Sequence, residues 1–71
     1  MRDFGAILKE LKLHLAKRGE NTKVYDKEVA EALGISPVNL ATLKKRNSIP
    51  FERILNFCYQ EELCCSEIFF D

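Results

Sequence analysis

A four-residue segment near the middle of the chain constrains the fold most strongly. Residues 34–37 read Gly-Ile-Ser-Pro, and three of them suit successive steps in ending one helix and starting the next. Gly34 tolerates the left-handed backbone that ends a helix, Ser36 suits an N-cap, and Pro37 suits the first helical position. The sequence therefore predicts a tight turn at Gly34, followed by a helix from Pro37 to about Arg46.

Apolar residues on both sides of this turn extend it into a unit of two helices. Leu40 and Leu43 lie one turn apart, so they share one face of the second helix. Asp26 is the expected N-cap of the first helix, whose inward face comprises three apolar residues: Val29, Ala30 and Leu33. Two short helices joined by a glycine-containing turn form a helix-turn-helix.

The sequence around this unit resembles the helix-turn-helix domain of phage CI-type repressors. The run KEVAEALGISPVNLATLKKRNSIP carries the resemblance, which is most specific between Lys27 and Phe51 and extends roughly from Asp3 to Phe70. The small, glycine and apolar positions of the motif are matched by Ala30, Gly34, Ile35, Leu40 and Leu43. The family also commonly has a basic cluster that ends the second helix and then an Ile-Pro pair, which here are Lys44, Lys45, Arg46, Ile49 and Pro50. Leu43 departs from the family, where an aromatic residue is common, but it preserves an apolar plug.

This resemblance implies a lambda-repressor-like fold and a function in transcription. We expect an all-α bundle of about five helices that forms a single domain over residues 1–71. The implied partner is double-stranded operator DNA, bound by a homodimer at an inverted repeat, and the implied role is repression.

The distribution of charge is more informative than its sum, which is zero. Up to Pro50 the chain has ten basic and six acidic residues, for a net charge of +4. From Phe51 onward it has one basic and five acidic residues, for a net charge of −4. The net charge of zero therefore includes a basic segment, which is compatible with nucleic acid as a partner.

Periodicity predicts helices at both ends of the chain. A first helix follows Asp3, with Lys17 and Arg18 near its end and Gly19 as C-cap, and its apolar stripe is Phe4, Ile7, Leu8, Leu11 and Leu15. Pro50 should open a fourth helix with a buried face of Phe51, Ile54, Leu55 and Cys58. A short terminal helix is expected in the last nine residues.

The second helix of the motif has an outer face that suits DNA. Opposite the two leucines lie the residues expected to meet base edges in the major groove: Val38, Ala41, Thr42 and Lys45. Expected phosphate and flanking contacts are Ser36, Pro37, Asn39, Lys44, Arg46 and Lys27. The alternative interpretation is a solvated helix in a small bundle, although small apolar residues on the most exposed face are harder to explain that way.

The remaining reactive residues favour structural roles. His14 is expected to be a partly buried structural residue, and Cys58 a core residue. Cys64 and Cys65 lack zinc-site spacing, and their acidic neighbours should raise a thiol pKa. We predict no catalytic site, metal or cofactor, and a protein of the cytoplasm without a membrane-spanning segment.

The acidic last third is rich in aromatic and aliphatic residues. They are expected partly to complete the core and partly to form a dimer surface: Phe57, Tyr59, Leu63, Ile68, Phe69 and Phe70. The alternative function is a protein-interaction module that docks a partner through this segment.

Overall fold

The computed structural model describes residues 1–19 and 23–70, which contain five α-helices and no strand. In chain order the helices are α1 (Phe4–Gly19), α2 (Asp26–Leu33), α3 (Pro37–Arg46), α4 (Phe51–Gln60) and α5 (Cys65–Phe69). The predicted small all-α bundle is therefore confirmed. The predicted C-cap at Gly19 depends on residues 20–22, which lie outside the described residues.

Helix α1 supplies one side of the core. All five residues of its predicted apolar stripe are buried. Its start is capped by Asp3, whose Oδ1 accepts the Ala6 N–H at 2.9 Å. The Phe4 N–H donates to Oδ1 of Asn47 at 3.0 Å, so the residue that follows α3 also satisfies a free amide at the start of α1.

The core itself is built from all five helices. Its buried residues are Phe4, Ile7, Leu8, Leu11, Leu15, Val29, Ala30, Leu33, Leu40, Ile54, Phe57, Cys58, Ile68 and Phe69. Leu40 is the one buried residue of α3, and Leu43 is half-buried against the same core. Both predicted plug residues of α3 therefore face inward.

The turn between α2 and α3 is built as the sequence predicts. Gly34 has φ 75° and ψ 29°, and the Gly34 and Ile35 N–H groups donate to the carbonyls of Glu31 and Ala30. This pair of bonds is the glycine C-cap that satisfies the last carbonyls of a helix. Ser36 Oγ accepts the Asn39 N–H at 3.0 Å, and Pro37 begins α3.

The predicted N-cap of α2 is wrong. Asp26 is the first residue of α2 rather than its N-cap, which is Tyr25 without a side-chain cap. The Asp26 carboxylate points instead to lysines of two other helices, described below.

The predicted buried face of α4 is also wrong in part. Phe57 is buried with Ile54 and Cys58, whereas Phe51 and Leu55 are 46% and 45% exposed. The buried Phe57 ring packs nearly perpendicular to the ring of His14 on α1, with ring centroids 5.8 Å apart at 87°. Such edge-to-face packing stabilises an aromatic side chain beyond the burial of its area.

Replacing Gly34 by alanine should destabilise the protein by about 1–2 kcal/mol, because a Cβ is unfavourable in the left-handed region. The added atom would also lie 3.2 Å from Nη1 of Arg53. Gly5→Ala is the matched control: that glycine lies inside α1, with only an ordinary contact at 3.6 Å, so alanine should stabilise by up to ~1 kcal/mol. Urea unfolding measures both, and an unchanged midpoint for Gly34→Ala would contradict the role assigned to the turn.

Candidate nucleic-acid interface

The outer face of α3 is open to solvent. The side chain of Val38 is 77% exposed, and Ala41, Thr42 and Lys45 are exposed beside it. The Thr42 hydroxyl donates to the Val38 carbonyl at 3.1 Å, so its hydrogen is engaged within the helix. What this face offers a ligand is a set of methyl groups, the lone pairs of one hydroxyl and one ammonium.

The flanking residues of the predicted site are also at the surface. Ser36, Pro37 and Asn39 are exposed at the start of α3, and Lys27 is exposed on α2. Ser36 has a local structural role, because its hydroxyl caps the Asn39 amide. The Asn39 side chain itself is left to solvent.

The three basic residues at the end of α3 are not equivalent. Lys45 and Arg46 are exposed and have no ion-pair partner among residues 1–19 and 23–70. Lys44, by contrast, donates to Oδ2 of Asp26 at 2.6 Å. The sequence places all three in one cluster, but the fold leaves two of them as unpaired cations.

Asp26 joins three helices through one carboxylate. Besides Lys44 of α3, it meets the Lys12 ammonium of α1, with Nζ and Oδ1 2.5 Å apart. Oδ1 is enclosed and forms this ion contact without an aligned hydrogen bond. The two ammonium groups, Lys12 first and then Lys44, hold the pKa of Asp26 below its usual value, against the opposing effect of burial.

A second charged cluster lies away from α3, where the predicted structural histidine is found. His14 Nε2 and Glu61 Oε1 are 3.1 Å apart, and Arg18 reaches the same oxygen at 2.6 Å. Hydrogen bonds from His14 and then Arg18 lower the pKa of Glu61. His14 is about a quarter exposed, which confirms the prediction of a partly buried residue.

The cysteines divide by environment. Cys58 is buried, as predicted, and desolvation raises the pKa of its thiol to about 11. The expectation that acidic neighbours would raise the pKa of Cys64 is wrong: Ser66, whose Oγ lies 3.0 Å from Cys64 Sγ, lowers it and outweighs Glu67. Within the described residues, no three His, Cys, Asp or Glu side chains are grouped so as to hold a metal ion.

Comparison of the chain with protein-family models, curated proteins and solved structures finds no match. In the described part of the chain, every helix is too short or too polar to cross a membrane.

The ion pairs of Asp26 should make stability depend on pH. Because its folded pKa is lowered, its contribution is present above the unfolded value near 3.9 and is lost as pH falls through the folded pKa. Wild type should therefore be more stable than Asp26→Asn from about pH 5 to 7, and the difference should shrink below about pH 4.

Urea unfolding across this pH range measures the difference. Glu31→Gln is the control, since it removes an exposed carboxylate of α2 without an ion-pair partner in the described residues. Parallel pH profiles for wild type and Asp26→Asn would show that the Asp26 ion pairs contribute nothing to stability.

Proposed function

We propose that this protein binds duplex DNA, with α3 lying in the major groove. The observation that carries the proposal is the outer surface of α3, where three small side chains with methyl groups lie beside two unpaired cations. Val38, Ala41 and Thr42 occupy positions i, i+3 and i+4, so they form one continuous strip along the helix.

The chemistry of that strip suits base edges rather than a protein core. Methyl groups match the C5-methyl of thymine, and Lys45 at the end of the strip suits the acceptor atoms of guanine. Arg46 follows at the end of the same helix, and exposed Lys27 lies on α2; both are proposed as phosphate contacts, which fix the orientation of a protein on the duplex. The preferred half-site then has A·T pairs at its centre and a guanine within reach of Lys45.

In keeping with the resemblance to phage CI-type repressors, we propose that the protein acts in the cytoplasm as a transcriptional repressor. One recognition helix of ten residues contacts few base pairs, so the functional unit is a homodimer on an inverted repeat. The exposed apolar residues of α4 favour an additional contact of this kind: Phe51, Leu55 and Tyr59 recur at intervals of four along one side of the helix.

The second candidate function is a protein-interaction module. It is favoured by the same α4 residues, above all Tyr59, which is 86% exposed on a segment with net negative charge. A basic partner would suit this surface. Titration with duplex DNA at low salt separates the two functions, because an acidic docking surface gives no affinity for phosphate.

Loss of either unpaired cation should weaken DNA binding on every sequence. On a random duplex Lys45 meets phosphates and reaches guanine only at the preferred half-site, so Lys45→Ala, like Arg46→Ala, should reduce the slope of log K against log salt by about 0.9 for each lost phosphate contact. Fluorescence anisotropy with a random duplex at several salt concentrations measures the slope.

Lys9→Ala is the matched control for this titration. It removes an exposed lysine of α1 that has no ion-pair partner in the described residues and is not among the proposed DNA contacts. Equal slopes for wild type, Lys45→Ala and Arg46→Ala would exclude an interface at the end of α3.

The strip on α3 should determine specificity rather than general affinity. Val38→Ala or Thr42→Ala should weaken binding to the preferred site by about 1–3 kcal/mol per lost base contact and leave nonspecific binding nearly unchanged. The measurement is a paired titration of a duplex selected from a random pool and its scrambled version.

Leu13→Ala serves as the control, since it truncates a half-exposed apolar residue on α1. If the strip variants lose affinity for both duplexes equally, Val38 and Thr42 support the helix and do not read bases.

A further inference from the structure

The carboxylate of Asp26 lies where it changes the charge available to a ligand at the end of α3. Its partner Lys44 directly precedes the two unpaired cations, Lys45 and Arg46. Lys12, its other partner, brings α1 to the same place. The side chains of Lys12, Asp26 and Lys44 are 35%, 39% and 41% exposed, so the two ammonium groups lie at the surface although Oδ1 of Asp26 is enclosed.

Resting on the DNA binding proposed above, we infer that Asp26 limits the affinity of this protein for DNA by neutralising Lys12 and Lys44. Both lysines contact the same carboxylate in the free protein, at 2.5 and 2.6 Å. A phosphate that approaches Lys44 therefore meets a local charge of +1 from these three groups rather than +2. The effect is the same for all sequences, so it lowers specific and nonspecific affinity by the same factor and leaves base reading to the strip on α3.

Two effects of Asp26 on a phosphate oppose each other. Its negative charge repels the phosphate and reduces the number of cations that can neutralise DNA, which lowers affinity and flattens the salt dependence. Its hydrogen bond also fixes the Lys44 side chain, which favours phosphate binding. An ammonium has three donors, so Lys44 can contact a phosphate while it is still bound to Asp26. We expect the repulsion to prevail, because a phosphate on Lys44 lies only one lysine side chain from the Asp26 charge, well within a Debye length, where salt screens it little.

Asparagine at position 26 separates these effects. It keeps an oxygen that can accept from Lys44 and removes the charge. Asp26→Asn should bind a random-sequence duplex about tenfold more tightly than wild type at moderate salt, and its salt slope should be steeper by about 0.9 for each lysine released. Glu31→Gln removes one negative charge from the exposed surface of α2 and serves as the matched control, which should change the affinity by less than about twofold.

Lys44 supplies a test that keeps Asp26 in place. In the wild-type background Lys44→Ala should flatten the salt slope by less than half as much as Lys45→Ala, because Lys44 is already neutralised. In the Asp26→Asn background the same substitution should cost a full phosphate contact, a slope change of about 0.9. This difference between backgrounds is a coupling that a purely structural role of Asp26 would not produce.

The outcomes separate this inference from the proposed function. Failure of wild type and every variant to bind duplex at low salt overturns both. Binding by wild type that Lys45→Ala weakens, with Asp26→Asn unchanged or weaker, overturns the role of Asp26 and leaves the DNA interface standing. If Asp26→Asn does not fold, judged by circular dichroism, the comparison of Lys44→Ala with Lys45→Ala decides: equal changes in slope overturn the inference.

Discussion

Burial of the apolar face of α2 is the interaction on which the arrangement of the other helices depends. This helix has eight residues, too few to be stable alone in water. It nevertheless contacts α1, α3 and α4, and Val29 and Ala30 are almost fully buried among them. Each neighbour stabilises α2, and α2 in turn fixes where α3 begins, because the Gly34 turn starts from its last carbonyls. The position of the candidate interface therefore follows from core packing rather than from the propensity of α3.

The sequence predicts well the features whose cause is local. Gly34, Ser36 and Pro37 each act within a few residues of their own position, so their conformations can be read from residue type. The stripe of α1 is equally clear, since its five residues recur at helical period, although Leu13 lies on the opposite face and is half-exposed. In α4 the apolar residues cover slightly more than half of the circumference, with Leu55 and Phe57 towards opposite sides, so the sequence does not decide which one is buried; the structure buries Phe57, which packs against His14 of α1. The ion pairs of Asp26 could not be predicted from the sequence either, because Lys12 and Lys44 are distant from Asp26 along the chain.

Acidic residues decide which cations remain available at the surface. Glu61 binds Arg18 and lies beside His14, and Asp26 binds Lys12 and Lys44. Lys45 and Arg46 are left without such partners in the described residues, next to the exposed strip of α3. Other cations, such as Lys9 and Lys27, also lack an ion-pair partner in the described residues, but Lys45 and Arg46 are the two that adjoin this strip. Counting charges by segment indicates a basic half, but only the pairing of side chains shows which cations in that half remain uncompensated.

Helix α3 is held mainly at its ends. Leu40 is its only buried residue, with Leu43 half-buried, which is little apolar area for a helix of ten residues. Its start is fixed by the Gly34 turn and the Ser36 cap. Its end is fixed by Asn47, which adopts φ 51° and accepts the Phe4 N–H on its side chain, linking α3 to α1. Because the ends and one buried leucine set its position, the outward residues of α3 contribute little to folding. Substitutions there should leave the core undisturbed, so the proposed recognition of DNA can be tested at these positions separately from folding.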